Sequence, residues 1–207
     1  MRLLYGTGNE SKLTSMRENL KDLDIEIVGL KEMKRQIEAP EETGSNPLEN
    51  AKIKALYYYS QYKTPLFSCD TGLFIEGLEA KDQPGVFVRR VGGKNLNDEE
   101  MIEHYSGIAS RLGGKAKAKY KNGICLVMDE SNIFCYDGED ISWKDFWITS
   151  EPSLKRSPGF PLDSISVDIA TGRYFMDISY GENASEESEV RNGFKNFFIR
   201  SLAEYKK

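Results

Sequence analysis

Four short segments of the sequence combine glycine with charged or aromatic side chains that could serve phosphate, metal or base chemistry. The first is Thr7-Gly8-Asn9-Glu10-Ser11-Lys12, which lies between an expected strand and an expected helix. Small residues let the backbone approach a ligand closely, and the N–H groups at a helix start favour phosphate. Lys12 adds a full positive charge to that helix start. The alternative interpretation is an ordinary strand–helix turn that carries an exposed lysine.

The second segment places acidic side chains before a helix that carries an amide and a lysine. The loop Glu41-Glu42-Thr43-Gly44 precedes this helix, in which Asn50 and Lys54 lie four residues apart. Residues with that spacing share one helix face, so both side chains are expected beside the acidic loop. An acidic group and a lysine at one place would suit a polyphosphate bound with a metal ion. The alternative is a solvated helix face on which Lys and Glu pair.

The third segment delivers an aspartate at the end of a strand. Asp70 follows the run Leu66-Phe67-Ser68-Cys69 and precedes Thr71 and Gly72. At the carboxyl end of a strand, α/β proteins hold metal ions and activate water. Asp-Thr-Gly also occurs in aspartic proteases, but these need two facing aspartates, so a chain with one such tripeptide would have to dimerise. A Ser/His/Asp triad is poorly supported, because the only histidine, His104, is expected on a helix surface.

The fourth segment is a loop that is too rich in proline and glycine for regular structure. It has the sequence Ser157-Pro158-Gly159-Phe160-Pro161-Leu162-Asp163. Within it, Phe160 could stack on a nucleobase, and Asp163 could accept hydrogen bonds from ring N–H groups. The alternative is a tight loop with a buried phenylalanine.

Hydrophobic periodicity and turn residues predict the elements that would position these segments. Helices are expected around Leu13–Leu23 and at 46–62, 98–112 and 186–205, with Asn46 and Asn97 as caps. Strands are expected at 2–5, 25–30, 66–69, 116–121, 123–128, 132–137 and 142–149, with a hairpin turn at 129–132. Helices before and after a strand-rich middle predict a mixed α/β fold, and residues 1–207 are expected to form a single domain.

Composition and charge limit the classes of function. The 207 residues carry a net charge of -5, and 29% of them are charged, which is ordinary for a globular domain. An acidic chain argues against binding to a nucleic acid polymer, which needs a basic surface. Because no apolar run has the length of a membrane span, we expect a cytoplasmic protein without a membrane partner. The three cysteines have no metal-ligand spacing and are expected as free thiols.

Taken in chain order, the four segments resemble the signature blocks of the inosine triphosphate pyrophosphatase family. Thr-Gly-Asn-x-x-Lys at 7–12 resembles the opening block, and Glu-Thr-Gly at 42–44 with Glu-Asn-Ala-x-x-Lys-Ala at 49–55 resembles the second. Asp-Thr-Gly-Leu at 70–73 resembles the third block. The base-recognition blocks are matched more weakly, by Gly159, Phe160, Asp163 and Arg191. The resemblance spans nearly the whole chain.

This resemblance implies an elongated mixed α/β fold, with helices flanking a mixed sheet and two lobes around an active-site cleft, usually in a homodimer. It implies Mg²⁺-dependent hydrolysis of a nucleoside triphosphate, here a non-standard purine such as ITP, dITP or XTP, to monophosphate and pyrophosphate. Asp70, as general base, and Lys12 would be catalytic, and Asp70 with Glu41 or its neighbour Glu42 would hold the metal. The implied substrate-binding residues are Thr7, Asn9, Lys12, Asn50, Lys54, Thr71, Gly72, Phe160, Asp163 and Arg191.

Three departures from the family pattern keep alternatives open. Cys69 stands where the family has a second acid before Asp70, and Val190 stands where it has a histidine before Arg191. The loop at 159–163 also lacks a glycine and an aromatic residue of the pattern. Since the last two changes fall where the base would be read, phosphate chemistry is better supported than a preference for inosine or xanthosine. The alternatives are a non-catalytic nucleotide-binding or regulatory protein, and a pyrophosphatase with a different base preference.

Overall fold

The described chain is built from four helices and nine strands. The computed structural model describes residues 1–157, 160–178 and 184–206, with the side chains of all of these except 184–188. The helices are α1 (Glu10–Leu20), α2 (Pro47–Tyr62), α3 (Asp98–Arg111) and α4 (Ala184–Tyr205). The strands are β1 (Arg2–Tyr5), β2 (Glu26–Gly29), β3 (Leu66–Ile75), β4 (Arg90–Val91), β5 (Lys94–Asn95), β6 (Lys115–Val127), β7 (Ile133–Tyr136), β8 (Phe146–Thr149) and β9 (Ser166–Asp168). These elements confirm the predicted mixed α/β class.

Asparagine side chains cap the first three helices. Before α1, Asn9 Oδ1 accepts hydrogen bonds from the backbone N–H groups of Ser11 and Lys12. Asn46 caps α2 and Asn97 caps α3, each by accepting from the backbone N–H three residues later. Such caps satisfy N–H groups that have no partner within the helix. The predicted starts of α2 and α3 are therefore confirmed.

The first of two compact units contains a sheet with helices packed on both faces. It comprises Met1–Thr71, Lys121–Ser142 and Ser188–Lys207, and its strand order is β2-β1-β3-β6-β7. Strand β1 is parallel to β2 and β3, whereas β7 is antiparallel to β6. Because side chains alternate along a strand, the two faces carry different sets. The face toward α1 and α4 carries Leu3, Tyr5, Phe67, Ile124 and Leu126. The face toward α2 carries Leu4, Val28, Leu66, Cys125 and Val127.

The second compact unit is organised around α3. It comprises Gly72–Tyr120 and Trp143–Glu187, and its main sheet has the strand order β3-β6-β8-β9. The core of this unit receives five side chains of α3, which are Met101, Ile102, Tyr105, Ile108 and Ala109. Strands β4 and β5 pair with each other in a separate antiparallel hairpin. That residues 1–207 act as a single domain stays a prediction. None of the helices in the described ranges is long and apolar enough to cross a membrane.

Strand β6 is longer than the sequence indicated. Two strands were expected at 116–121 and 123–128, with a break at Asn122, but β6 continues from Lys115 to Val127. Gly123, inside this strand, serves a close contact with α2. A Cβ atom at this position would lie 2.4 Å from the backbone nitrogen of Leu48 and 2.7 Å from the carbonyl carbon of Pro47. The start of α2 therefore rests directly on the backbone of β6.

We expect Gly123→Ala to destabilise the protein by about 3 kcal/mol, which is at the upper end for overpacking of a rigid interior. The added methyl group would meet backbone atoms of α2, which cannot move aside as a flexible side chain can. Urea denaturation measures the change. Gly107→Ala is the matched control, because Gly107 lies inside α3 with only the end of Arg111 nearby and should gain about 0.5–1 kcal/mol. Equal stability of Gly123→Ala and wild type would show that α2 can shift freely.

Candidate functional site

The carboxylate of Asp70 is held between a lysine and an asparagine of α2. Lys54 Nζ donates to Asp70 Oδ1 at 2.8 Å, and Asn50 Nδ2 donates to Asp70 Oδ2 at 3.2 Å. Only 10% of the Asp70 side chain and 12% of the Lys54 side chain are exposed. The one-turn spacing of Asn50 and Lys54 thus brings both side chains to the strand carboxylate. The arrangement presents an oriented acid–base group beside a permanent positive charge.

The acidic loop before α2 reaches the same lysine. Glu42 Oε1 lies 3.2 Å from Lys54 Nζ, so this ammonium group bridges two carboxylates. Burial lowers the pKa of Lys54, but the charges and hydrogen bonds of Asp70 and Glu42 outweigh burial and raise this pKa above its ordinary value. Lys54 is therefore a cation throughout the neutral range. Glu41, the first choice from sequence as a metal ligand, is exposed. Its role stays a prediction, and Glu42 is the acid that shares Lys54 with Asp70.

Asn50 joins the acidic loop to Asp70 through its single side-chain amide. Its Oδ1 accepts a hydrogen bond from the Gly44 N–H at 2.8 Å, while its Nδ2 faces Asp70. A Cβ at Gly44 would lie 2.6 Å from Asn50 Oδ1, so only glycine allows this close contact. The next residue, Ser45, donates its N–H to Glu49 at 2.7 Å. The loop is thereby tied to the first turn of α2.

A second chain of hydrogen bonds begins at Lys12. Lys12 Nζ donates to Thr71 Oγ1 at 3.4 Å, and Thr71 Oγ1 donates to Asn122 Oδ1 at 2.7 Å. Asn122 is buried, and its Nδ2 donates to the carbonyl of Ile141 at 2.7 Å. These contacts fix the hydroxyl of Thr71 beside the lysine. The sequence interpretation missed Asn122, because it lies where β6 was expected to break.

Cys69 lies on the opposite side of β3 from Asp70. The side chains of Leu66, Ser68 and Asp70 contact or pack toward α2, whereas Phe67 and Cys69 belong to the core beneath α1 and α4. Burial raises the pKa of the Cys69 thiol to about 11, although Lys12 and Lys54 act in the opposite direction. The thiol is neutral at pH 7. A cysteine at this position therefore does not replace the charge of an acid.

The turn before α1 is less open to a ligand than its sequence suggested. Asn9 Oδ1 already occupies the N–H groups of Ser11 and Lys12, and Thr7 Oγ1 accepts from the Asn9 N–H at 3.2 Å. A Cβ at Gly8 would meet nothing within 4 Å, so the turn itself is uncrowded. Phosphate binding by Thr7 and Asn9 stays a prediction, and it would require Asn9 to exchange its capping contacts for a ligand.

The residues proposed to read a base are distributed over both compact units. Phe160 and Asp163 belong to the second unit, and Arg191 lies on α4 of the first. Gly72, which is predicted to bind substrate but not to read the base, also belongs to the second unit. Phe160 is 46% exposed, so the alternative of a buried phenylalanine is wrong. Burial raises the pKa of the Asp163 carboxyl to about 6. The buried Nε of Arg191 has no hydrogen-bond partner among the described residues. Gly159 lies outside the described residues.

The residues around Asp70 suit a metal that shares its ligands with a substrate. Within residues 1–157, 160–178 and 184–206, no three His, Cys, Asp or Glu side chains gather into a closed metal-binding group. Mg²⁺, however, is commonly held by one or two carboxylates together with phosphate oxygens and water. Asp70 and Glu42, which meet at Lys54, supply two such carboxylates. The donor set therefore fits Mg²⁺ brought with a polyphosphate better than a dedicated protein cage.

Comparisons with known proteins agree with this picture. Residues 3–143 match the model of the Ham1 family, and this range contains Lys12, Asn50, Lys54 and Asp70. A dITP/XTP pyrophosphatase from Coxiella burnetii is 39% identical over 80% of this chain and 79% of its own length. A dITP/XTP pyrophosphatase from Caldanaerobacter subterraneus is 32% identical over 99% of both chains. The solved structure of a HAM1 protein from Coxiella burnetii has a TM-score of 0.78 at 27% identity and covers 97% of this chain and 99% of that one.

Proposed function

The chain belongs to the Ham1 family, and from this premise we propose that it is a pyrophosphatase acting on non-standard purine nucleoside triphosphates. The family match confirms the resemblance drawn from the sequence blocks. Relatives that bear the name dITP/XTP pyrophosphatase point to ITP, dITP and XTP as substrates. The observation that carries the proposal is the buried carboxylate of Asp70 between Lys54 and Asn50. The products would be a nucleoside monophosphate and pyrophosphate.

Asp70 is the proposed general base. With one oxygen on Lys54 and the other on Asn50, its carboxylate has a fixed orientation in which to accept a proton from water. That water would attack the α-phosphorus. The bond from this phosphorus to the oxygen bridging the α- and β-phosphates would then break, and pyrophosphate would leave with the bridging oxygen. Asn50, whose amide is also held by Gly44, keeps the base in place.

Lys12 and Lys54 are the proposed partners of the phosphate oxygens. Each lysine side chain contacts β3 near its midpoint, Lys12 at Thr71 and Lys54 at Asp70. Preorganised positive groups stabilise the negative charge that develops on the leaving group. The long contact of Lys12 Nζ with Thr71, 3.4 Å, leaves this cation easily available to a ligand.

Mg²⁺ is the proposed cofactor, held by Asp70 together with Glu42 or the exposed Glu41. Two carboxylates and a polyphosphate are the ligand types that this ion prefers. When bound, it would neutralise part of the charge of the substrate and of the departing pyrophosphate. The ammonium group of Lys54 already lies between the carboxylates of Asp70 and Glu42, which supports a site where the carboxylates attract a cation.

Base recognition is assigned to Phe160, Asp163 and Arg191. Phe160 presents an exposed ring on which a purine could stack. The Asp163 carboxyl, with its pKa raised by burial to about 6, is mainly ionised at neutral pH and could accept hydrogen bonds from purine N–H groups. Arg191, whose buried Nε has no hydrogen-bond partner among the described residues, would supply its guanidinium as a donor to a carbonyl oxygen of the base. A homodimer, implied by the family resemblance, and a cytoplasmic location, expected from the absence of a long apolar run in the sequence, complete the proposal.

Pyrophosphate release from a panel of nucleotides tests the function. We expect turnover of ITP, dITP and XTP to exceed that of the common triphosphates by roughly 10- to 100-fold in kcat/KM, and to require Mg²⁺. Preference for another base would retain the chemistry and discard the substrate assignment. Binding of triphosphates without pyrophosphate release would instead favour the non-catalytic alternative, which is motivated by Cys69 in place of an acid and Val190 in place of a histidine.

A further inference from the structure

Two cysteines face each other across neighbouring antiparallel strands of the first compact unit. Cys125 on β6 and Cys135 on β7 are register partners. Their Sγ atoms lie 2.9 Å apart, and both residues are free cysteines. The third cysteine, Cys69, is not part of this pair. The two sulfur atoms are therefore already in contact, although the proposed pyrophosphatase reaction uses neither of them.

The two thiols differ sharply in accessibility. Cys125 is fully buried in the core that β6 forms with α2, where it packs near Ala51 and Ala55. Cys135 is exposed. An external reagent can therefore reach Cys135 first, whereas the adjacent Cys125 is shielded from the reagent. This arrangement of one accessible and one shielded thiol is the one that sequential thiol–disulfide exchange needs.

The local electrostatics favour the exposed thiol as the nucleophile. The hydrogen bond between Cys135 and Cys125 and the positive charge of Lys52 lower the pKa of Cys135 to about 7, against the opposing effect of partial burial. The same hydrogen bond and its burial raise the pKa of Cys125. The thiolate is the reactive form of cysteine, and it is concentrated here on the side chain that a reagent can reach.

The backbone geometry also accommodates a covalent bond. Opposed residues in an antiparallel pair have Cα atoms about 4.5–5.5 Å apart, which lies within the range of about 4.4–6.8 Å found for disulfides. Closing the sulfur contact to a bond of about 2.05 Å requires a movement of only about 0.9 Å. Rotation about the side-chain bonds can supply this movement while the strands stay paired.

We propose that Cys125 and Cys135 form a reversible disulfide that is made by exchange with an external disulfide. The Cys135 thiolate attacks one sulfur of the reagent, forms a mixed disulfide and releases the first reagent thiolate. Cys125 then gives its proton to the second leaving sulfur and attacks Cys135, which closes the internal bond and releases that sulfur as a thiol. The protein thiols lose two electrons in total, and the reagent disulfide gains them. Reduction by an excess of external thiol reverses both steps.

The bond would join β7 to the strand beneath α2. Cys125 packs against α2, the same helix that carries Asn50 and Lys54. The proposal does not depend on the pyrophosphatase function, since it concerns the thiols alone. Each can fail while the other holds.

Oxidised glutathione tests the proposal on the full chain. After treatment, quenching with acid, unfolding and alkylation, we expect the free thiols of the wild type to fall from three to one. The intact mass should show the loss of two hydrogen atoms and no attached glutathione, and excess reduced glutathione should restore all three thiols. Cys69→Ser is the matched control and should fall from two thiols to none, because it retains the pair.

Single variants separate the two steps. Cys125→Ser should stop at a stable glutathione adduct on Cys135, because no second thiol can displace the reagent. Cys135→Ser should keep its remaining thiols, because the exposed entry point is gone. Three free thiols in the treated wild type, a lasting glutathione adduct on it, or a bond only between two chains would each overturn the proposal. The measurement on the wild type decides the matter even where a variant folds poorly.

Discussion

Asp70→Asn is expected to slow pyrophosphate release from ITP by roughly 10²- to 10⁴-fold, the usual contribution of a general base. The amide has nearly the shape of the carboxylate but cannot take a proton from water. Lys54 would keep Glu42 as a partner, so the positive charge toward the phosphates would remain. Nucleotide affinity should therefore change much less than kcat. Single-turnover kinetics and equilibrium binding of ITP measure the two quantities separately.

The control for this variant is Asp137→Asn. Asp137 is exposed in the same compact unit, so its substitution removes the same charge without touching the hydrogen bonds of the site. Thermal unfolding of both variants would distinguish lost chemistry from lost structure, because the amide introduced by Asp70→Asn must reorient against the Asn50 amide. Undiminished turnover by a folded Asp70→Asn protein would remove Asp70 from the role of base.

Lys54→Met is the second substitution with a large expected effect, since it changes both activity and stability. The thioether fills similar space but leaves Asp70 and Glu42 without the cation between them. Removing one partner of a buried ion pair costs about 3 kcal/mol. Loss of a preorganised positive group should lower kcat/KM by roughly 10²- to 10³-fold. Denaturant titration and pyrophosphate release measure the two effects.

The difference in unfolding free energy between wild type and Lys54→Met should depend on pH in a defined direction. The pKa of Lys54 is raised above its ordinary value of 10.5, so its stabilising contribution is complete below that pH. This contribution is lost as the pH rises through the folded-state pKa. The difference in unfolding free energy between wild type and Lys54→Met should therefore be constant from about pH 7 to about pH 10 and become smaller above pH 10. Equal unfolding free energies of wild type and Lys54→Met at neutral pH would mean that the carboxylates of Asp70 and Glu42 can move apart without an energetic cost.

Lys52→Met provides the control for Lys54→Met. Lys52 lies on the same helix but is exposed and makes no contact with Asp70 in the described structure. The same change of side chain on the same helix should therefore leave kcat/KM and the unfolding free energy nearly unaltered. A loss in Lys52→Met as large as that in Lys54→Met would point to a general effect on α2.

The features that sequence predicted best are those set by neighbouring residues. Asn46 and Asn97 predict helix starts, because a capping side chain bonds to the backbone only three residues later. That Asn50 and Lys54 share a helix face follows from their spacing of four residues. Asp70 was recognisable as a candidate for the same reason, but the expectation that it ends a strand is wrong, because β3 continues from Leu66 to Ile75 and Asp70 lies near its middle. Joining these local signals into one site required the family resemblance.

The features that sequence missed depend on distant partners. Gly123 resembles a turn residue, and only the backbone of α2 lying on it explains a glycine within a continuous strand. Asn122 acquires its role through Thr71, 51 residues away in sequence. The short strand β9 exists through its pairing with β8 and has little pattern of its own. The ion pair of Glu42 with Lys54 likewise depends on where Lys54 lies.

The alternation along β3 makes the length of this strand as important as its residues. A single residue inserted between Leu66 and Cys69 would turn the carboxylate toward the apolar core and bring the thiol of Cys69 to α2, because each step along a strand reverses the side. Every chemical group would still be present in such a chain. Insertions and deletions in this stretch should therefore be tolerated less than most substitutions, and the site is encoded by a count of residues as well as by their identities.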